Sequence, residues 1–362
     1  MRFKLVSLTP LHIGEGNENK LYPFEYWKEE NKLRIGDFEK FVDVILSEKN
    51  YKNNLEKLLK LFKENTRNGQ RVLSFLEILR SFGLEEKKEE FVKGEISLSK
   101  EFLNSFPVIK KEISLFIRHN NSLYIPGSSR KGAIRSSLIQ KILKKEDSKL
   151  NLLYEKKDKK EISEEIENIK FDFNDKYNIS VNDIEMSNWR SNLSMIKRIG
   201  MGRRGAKLNF IETIEIKEED NIFVDIKTKI DFKELKETIN DFYLNAIKRI
   251  LEMECVKREN EVYLSLKKIE EEMEKTKENS FYLQVGYGGN YFTKSIGRLI
   301  LEFANEKNLD SLYLSRLRKK FNFGFCKRRN KKIYLDPFPR TFGVNEKNEQ
   351  LGWLRFIKCD EG

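Results

Sequence analysis

Cysteine and histidine are scarce in this chain. The three cysteines in 362 residues, Cys255, Cys326 and Cys359, lie far apart and form no CxxC pair, so neither a disulfide framework nor a zinc site is expected. The only histidines are His12 and His119, and the abundant carboxylates show no recognisable metal-ligand spacing, so no metal and no cofactor is expected. Long apolar runs are missing as well. Nothing approaches the roughly 18 residues of a membrane span, and Pro10 arrives before a signal-peptide core could develop, so the expectation is a cytoplasmic protein with no membrane partner. With 39% hydrophobic residues, a chain of this length can bury a core that needs no staple, in two domains or one elaborated domain.

Acid is absent from four stretches: Ile113 to Lys145, Met186 to Ile211, Ser280 to Leu301 and Ser311 to Leu335. Together they carry 24 basic residues, while the whole chain has 70 Lys plus Arg against 58 Asp plus Glu and a net charge of +12. The rest of the chain is therefore net acidic. Three of the four stretches also contain glycine-rich or Gly-Ser turns, and basic residues on such turns suggest a polyanion partner. For the run from Lys327 to Lys332, a solvated face is an equal reading.

Periodicity predicts an α+β protein. Arg2 to Leu8 alternates and ends at Thr9-Pro10, as an opening strand does. Helical spacing from Asp37 to about Phe82 predicts two or three amphipathic helices, with Asp37 as an N-cap. Ile113 to Ile117 and Leu123 to Ile125 read as strands, followed by a helix from Ser128 to about Lys145 and a charged insertion from Glu146 to Asn178. Phe210 to Ile216 and Ile222 to Ile230 alternate on either side of Glu219-Asp220-Asn221, which predicts a β-hairpin. A helical region from Phe232 to about Asn279, a strand from Phe281 to Val285 and a helix from Ile296 to Asn308 follow.

Three segments carry candidate chemistry. In Leu123 to Gln140, a strand runs into a turn at Pro126-Gly127, Ser128 or Ser129 can cap a helix, and Lys131 and Arg135 share one face opposite Ile134, Leu138 and Ile142. A helix N-terminus backed by two cations is a phosphate site. It is not a P-loop: Gly127 and Gly132 have the spacing, but Ala133-Ile134 stand where Lys-Ser would be needed, so NTP hydrolysis is not expected. Gly200, Gly202 and Gly205 formally satisfy GxGxxG, yet a strand rather than a helix follows, which rules out a dinucleotide turn. With Arg198, Arg203, Arg204 and Lys207 around it, this segment reads as a basic finger able to follow a sugar-phosphate backbone. In Leu283 to Lys294, a strand enters the turn Gly286-Tyr287-Gly288-Gly289. Its glycines permit close approach to a ligand, Tyr287 or Tyr291 could stack on an unpaired base, and Lys294 follows. For catalysis the sequence offers only His12, in the loop after the first strand, and no evident partner accompanies it.

The segments Leu8-Thr-Pro-Leu-His-Ile-Gly-Glu-Gly, Ile125-Pro-Gly-Ser-Ser-Arg-Lys-Gly-Ala-Ile-Arg, the glycine-rich turn from Gly286 and the terminal Leu351-Gly-Trp occur in that order along nearly the whole chain. Together they resemble the RAMP superfamily of CRISPR-associated proteins, and within it the terminal, crRNA 3′-side subunits of type III-A (Csm) effector complexes. Terminal subunits of type III-B (Cmr) complexes share the character of the second segment. The resemblance implies an RRM-like, ferredoxin-fold core with large helical insertions and a second, degenerate RRM-like half. On that basis residues 1–230 form the core, with insertions at about 38–112 and 146–190, and 231–362 form a C-terminal half. It implies a non-catalytic scaffold in a hetero-oligomer, holding single-stranded crRNA, with target RNA nearby, against the backbone and small subunits of the Csm complex. The implied RNA contacts are His12 and Gly14, then Gly127, Ser128, Ser129, Arg130, Lys131 and Arg135, then Gly286, Tyr287, Gly288 and Gly289. Arg198, Arg203, Arg204, Lys207 and Lys294 join them on grounds of charge. The rival expectation is a metal-independent crRNA-processing endoribonuclease of the same superfamily, with His12 as its base.

Overall fold

The computed structural model describes residues 1–145, 177–200, 209–294, 325–334 and 341–359, together with positions 164, 168 and 302. Within those ranges it leaves out 15–18, 48, 65, 68–69, 72, 107–110, 120–121, 188, 277, 290 and 329–330. The elements that position the site are, in chain order, β1 (Arg2–Ser7), α1 (Phe38–Ser47), α2 (Tyr51–Glu64), α3 (Phe75–Ser81), β2 (Ser122–Ile125), α4 (Gly127–Lys145), β3 (Ser180–Val181), β4 (Asn192–Gly200), β5 (Asn209–Thr213), β6 (Phe223–Lys227), α5 (Phe232–Leu251), α6 (Asn260–Lys275), β7 (Ser280–Gln284), β8 (Thr341–Val344) and β9 (Trp353–Lys358).

The central sheet has the order β3-β6-β1-β9-β7, with every neighbouring pair antiparallel. Alternation places Phe3 and Leu5 of β1 on the buried face, where both are fully covered. Phe281 and Phe356 stack at 4.8 Å across the β7/β9 pair, and Phe3 meets Phe281 edge-on at 5.2 Å. Helices α4 and α5 pack together beneath this sheet, and α6 packs on α5. The first turn of α5 is capped by Asp231, whose side chain accepts from the Glu234 N–H at 2.9 Å, and its apolar stripe (Leu235, Ile239, Phe242, Ala246, Ile250) is buried. Each large side chain buried there contributes on the order of 1.5–3 kcal/mol.

A second sheet holds β4 and β5 as an antiparallel pair, with β8 on the far end of β4 and Val92–Ser97 beside Asn192. The predicted helices between Asp37 and Phe82 are α1, α2 and α3, which surround their own apolar cluster of Phe41, Ile45, Leu58, Phe75, Ile78 and Leu79. Asp37 caps α1 as expected, accepting from the Lys40 N–H at 3.0 Å. Ser74 and Glu77 form a reciprocal capping box on α3.

One expected pairing is not made. The two alternating runs around Glu219-Asp220-Asn221 do form strands β5 and β6, but not a hairpin. β5 pairs with β4, whereas β6 pairs with β1 and β3 in the other sheet. The segment between them crosses over: Ile214 bridges Leu11, Ile216 exchanges hydrogen bonds with Ser7, and the Ile222 carbonyl accepts from the Leu5 N–H. Alternation specifies a half-buried strand but not which edge it joins. The helical region after Phe232 is broken into α5, the short turn of helix Glu254–Lys257 and α6. The expected helix from Ile296 to Asn308 and most of the Glu146 to Asn178 insertion lie outside the described residues.

Candidate nucleic-acid interface

The first loop, helix α4 and the glycine turn, which stand more than a hundred residues apart in sequence, meet at one cleft of about 660 Å³. Its walls include His12, Gly14, Ser129, Gly132, Arg135, Ser136, Gly286, Tyr287, Thr293 and Lys294. The volume lies in the range of roughly 300–1,000 Å³ typical of sites that take one small ligand or a few of its units. Among the described residues no carboxylate lines it, and none forms an ion pair with Arg135 or Lys294. Lys294 keeps an exposed side chain, but the wall crowds it enough for desolvation to push its ammonium below the usual lysine range.

Glycine explains why the motifs meet. Gly286 has φ +68°, and a Cβ there would overlap the His12 carbonyl, while the Tyr287 N–H donates to that same oxygen at 2.9 Å. Added carbons at Gly127 and Gly288 would collide with the carbonyls of Val181 and Leu351. The close approach these glycines allow is thus made first to the protein's own backbone. Gln284 ties the turn down, its side-chain N–H donating to the Gly288 and Leu351 carbonyls at 3.1 and 3.0 Å.

Helix α4 differs from its sequence reading in two ways. Its Gly127 N–H is already committed, donating to the Asp183 carboxylate at 2.6 Å, so a carboxylate from the chain itself sits on the helix N-terminus. The cleft opens instead along the helix flank, where Ser129, Gly132, Ala133 and Ser136 recur at helical spacing with Arg135 at their edge. Lys131, one turn before Arg135, does not line the cleft, nor does Ser128, which is exposed. Arg130 is fully buried. Its Nη2 donates to the carbonyls of Ile125 at 3.0 Å and Asn182 at 2.6 Å, and burial lowers its pKa to about 10. It holds β2 and the β3 connection to the helix and does not line the cleft.

His12 is buried at the cleft wall. Its Nδ1 stands 2.6 Å from the Glu212 carbonyl, Phe116 and Tyr287 meet its ring edge-on, and burial holds its pKa below the ordinary histidine value. Glu212 is a residue the sequence reading missed. Fully buried, its carboxylate accepts from Arg118 in two places (2.5 and 2.8 Å), from the Phe116 N–H (2.8 Å) and from the Ser191 hydroxyl (2.6 Å). The signal was an acid inside the apolar run Phe210-Ile-Glu-Thr-Ile, which must be paired once buried. Tyr287 remains exposed at the cleft, its hydroxyl accepting from Asn209 at 3.1 Å. Arg198 lies in β4 opposite Gly343. The Arg198 and Tyr291 side chains, and residues 201–208 with Arg203, Arg204 and Lys207, fall outside the described residues. The strands flanking that segment, β4 and β5, pair antiparallel, in keeping with the rejection of a dinucleotide turn.

The sequence profile of the RAMP superfamily matches residues 4–292. The CRISPR system Cms protein Csm5 of Methanocaldococcus jannaschii is 28% identical over 401 aligned residues, covering 98% of this chain and 88% of that protein. Csm5 of Streptococcus thermophilus is 34% identical over 143 residues, 38% of this chain and 37% of that protein. Among solved structures, a chain of a Csm-crRNA-target RNA ternary complex of a type III-A CRISPR-Cas system superposes with a TM-score of 0.66 at 19% identity, covering 98% of this chain and all of that one. The crystal structure of T. onnurineus Csm5 gives a TM-score of 0.59 at 15% identity, covering 97% and 99%.

Proposed function

Since the chain belongs to the RAMP superfamily, we propose that it is the non-catalytic terminal subunit of a type III-A CRISPR effector complex, holding single-stranded crRNA near its 3′ end. The observation that carries this is the cleft: three separate motifs converge on it, an exposed tyrosine and two cations without an ionic partner among the described residues line it, and no acid among those residues opposes a polyanion. The full-length relative named Csm5 and the fold likeness to a chain of a Csm-crRNA-target RNA complex support the same reading. Backbone and small subunits of that complex, and target RNA, are the partners it implies, in the cytoplasm. None of the helices described is long and apolar enough to cross a membrane.

An RRM-like core fits the topology. β1, α4, β3, β6, α5 and β9 follow one another as β-α-β-β-α-β, and their strands stand in the order β9-β1-β6-β3, the ferredoxin-like pattern of fourth, first, third and second. In this reading the core draws on both sides of residue 230, α1 to α3 are an insertion, and β7 extends the edge beside β9.

His12 has no catalytic role in this proposal. Among the described residues no carboxylate orients its ring, and no second histidine lines the cleft to serve as the acid. The test is to incubate the full-length protein with labelled single-stranded RNA in Mg²⁺ or in EDTA and to read native and denaturing gels. Shifted, intact RNA is expected. Cutting that survives EDTA and disappears in His12→Ala would overturn the scaffold reading.

A further inference from the structure

We propose that His12 is a specificity residue that accepts a hydrogen bond from a ribose 2′-hydroxyl and so lets the cleft prefer RNA to DNA; this deepens, and rests on, the RNA-binding reading of the same cleft. The carbonyl of Glu212, 2.6 Å from Nδ1, can only accept, so Nδ1 carries the proton and Nε2 is left with a lone pair. Among the described residues nothing donates to that lone pair. It lies beside Gly14, where a Cβ would come to 3.0 Å from Nε2, and Gly14 is exposed at the cleft mouth, so no side chain at Gly14 obstructs the approach.

The imidazole cannot readily turn to offer anything else. Phe116 and Tyr287 hold the ring from two sides, the Tyr287 N–H fixes the His12 carbonyl, and the strand carrying Glu212 is locked by the four hydrogen bonds into its carboxylate from Arg118, Phe116 and Ser191. The cleft thus carries two kinds of group: cations, Arg135 and Lys294, suited to phosphate, and a neutral acceptor suited to a donor. Along a nucleic-acid backbone the only donor between phosphates is the 2′-hydroxyl, which DNA lacks.

The experiment measures the affinity of the full-length protein for one single-stranded sequence as RNA, as 2′-fluoro RNA and as DNA. The fluoro form keeps the RNA sugar pucker but removes the donor. Wild type should bind RNA about threefold to tenfold more tightly than 2′-fluoro RNA, the size of one net hydrogen bond. His12→Phe, which keeps a ring of similar shape, should bind RNA and 2′-fluoro RNA equally, at the wild-type level for the fluoro form. His12→Leu, which also removes the acceptor, should lose the preference likewise, and it decides the matter if His12→Phe does not fold. Equal wild-type affinity for RNA and 2′-fluoro RNA, or a preference that persists in both variants, would overturn the role of His12 while leaving RNA binding intact. No binding to any of the three would overturn the RNA reading itself.

Discussion

Arg130 and Arg135 lie five residues apart on α4 and are equally basic in sequence, yet their surroundings demand opposite outcomes on truncation. Arg130 is fully buried, and its guanidinium satisfies the carbonyls of Ile125 and Asn182. In Arg130→Ala each carbonyl loses a charge-assisted donor, at about 1–3 kcal/mol apiece where water cannot replace it. Part of that is returned, because the cost of holding a guanidinium out of water, seen in its pKa of about 10, disappears. The net expectation is a loss of about 2–4 kcal/mol, or roughly 5–10 °C in Tm for a cooperative unit of some 200 residues. Arg130→Met, which keeps most of the volume, should recover only the packing part. Arg135→Ala touches no described partner and should leave Tm within about a degree, while lowering the slope of log affinity against log salt by about 0.7 for single-stranded RNA. Thermal melts and RNA titrations at several salt concentrations on the three variants settle the matter. If Arg130→Ala melted like wild type and weakened RNA binding as Arg135→Ala does, the assignment of one arginine to the frame and the other to the ligand would be wrong.

Gly286→Ala forces a left-handed φ of +68° and a clash with the His12 carbonyl, so a loss of at least about 2 kcal/mol is expected in denaturant unfolding. Gly132→Ala, inside α4 with open space around it, should instead stabilise by up to about 1 kcal/mol. Acidification provides a further check. Burial lowers the His12 pKa in the folded chain, so the unfolded chain binds more protons in the interval between the folded value and about 6.5. Stability from His12 is therefore complete above about pH 6.5 and is lost as pH falls from there through the folded pKa. The groups acting on the ring are the Glu212 carbonyl and, at longer range and opposing the effect of burial, the Glu212 carboxylate, with Phe116 and Tyr287 against it and Arg135 and Lys294 across the cleft; the other histidine, His119, is exposed. The ion-paired carboxylates Glu29, Glu85 and Glu95 have lowered pKa values and lose their contribution only below about 4.5. Burial raises the pKa of Glu25 and Glu346, which act in the opposite direction, so the check is a difference: between pH 6.5 and 5 the Tm of wild type should fall relative to that of His12→Gln, and parallel curves would refute the account.

Local physics made much of this fold legible. The alternation in Arg2 to Leu8, the helical spacing from Asp37 to Phe82 and the strand-turn-helix around Pro126 each correspond to an observed element, because each pattern is set by burial within a single segment. What escaped the sequence depends on partners far along the chain. β6 alternates as a hairpin strand would, but the edge it joins belongs to β1, more than two hundred residues earlier. Arg130 carries the same charge as Lys131 and Arg135. The carbonyls of Ile125 and Asn182 mark it as internal, and the Asp183 carboxylate, 56 residues from Gly127, takes the N–H that the helix N-terminus would otherwise offer.

The glycines of the motifs sharpen this point. Read as sequence, Gly127, Gly286 and Gly288 mark places where a ligand could come close. In the fold the space opened at each is filled by a carbonyl of the chain itself: Val181, His12 and Leu351. Such contacts lock the first loop, α4 and the last strand's approach into one body, and a cleft formed between locked walls loses little entropy when a ligand enters it. Substituting these glycines should therefore weaken RNA binding by moving walls, whereas substituting Arg135 should weaken it by removing charge, and the two differ in their salt dependence. A wall that moves lowers affinity at every salt concentration by a similar factor; a lost cation lowers it most at low salt.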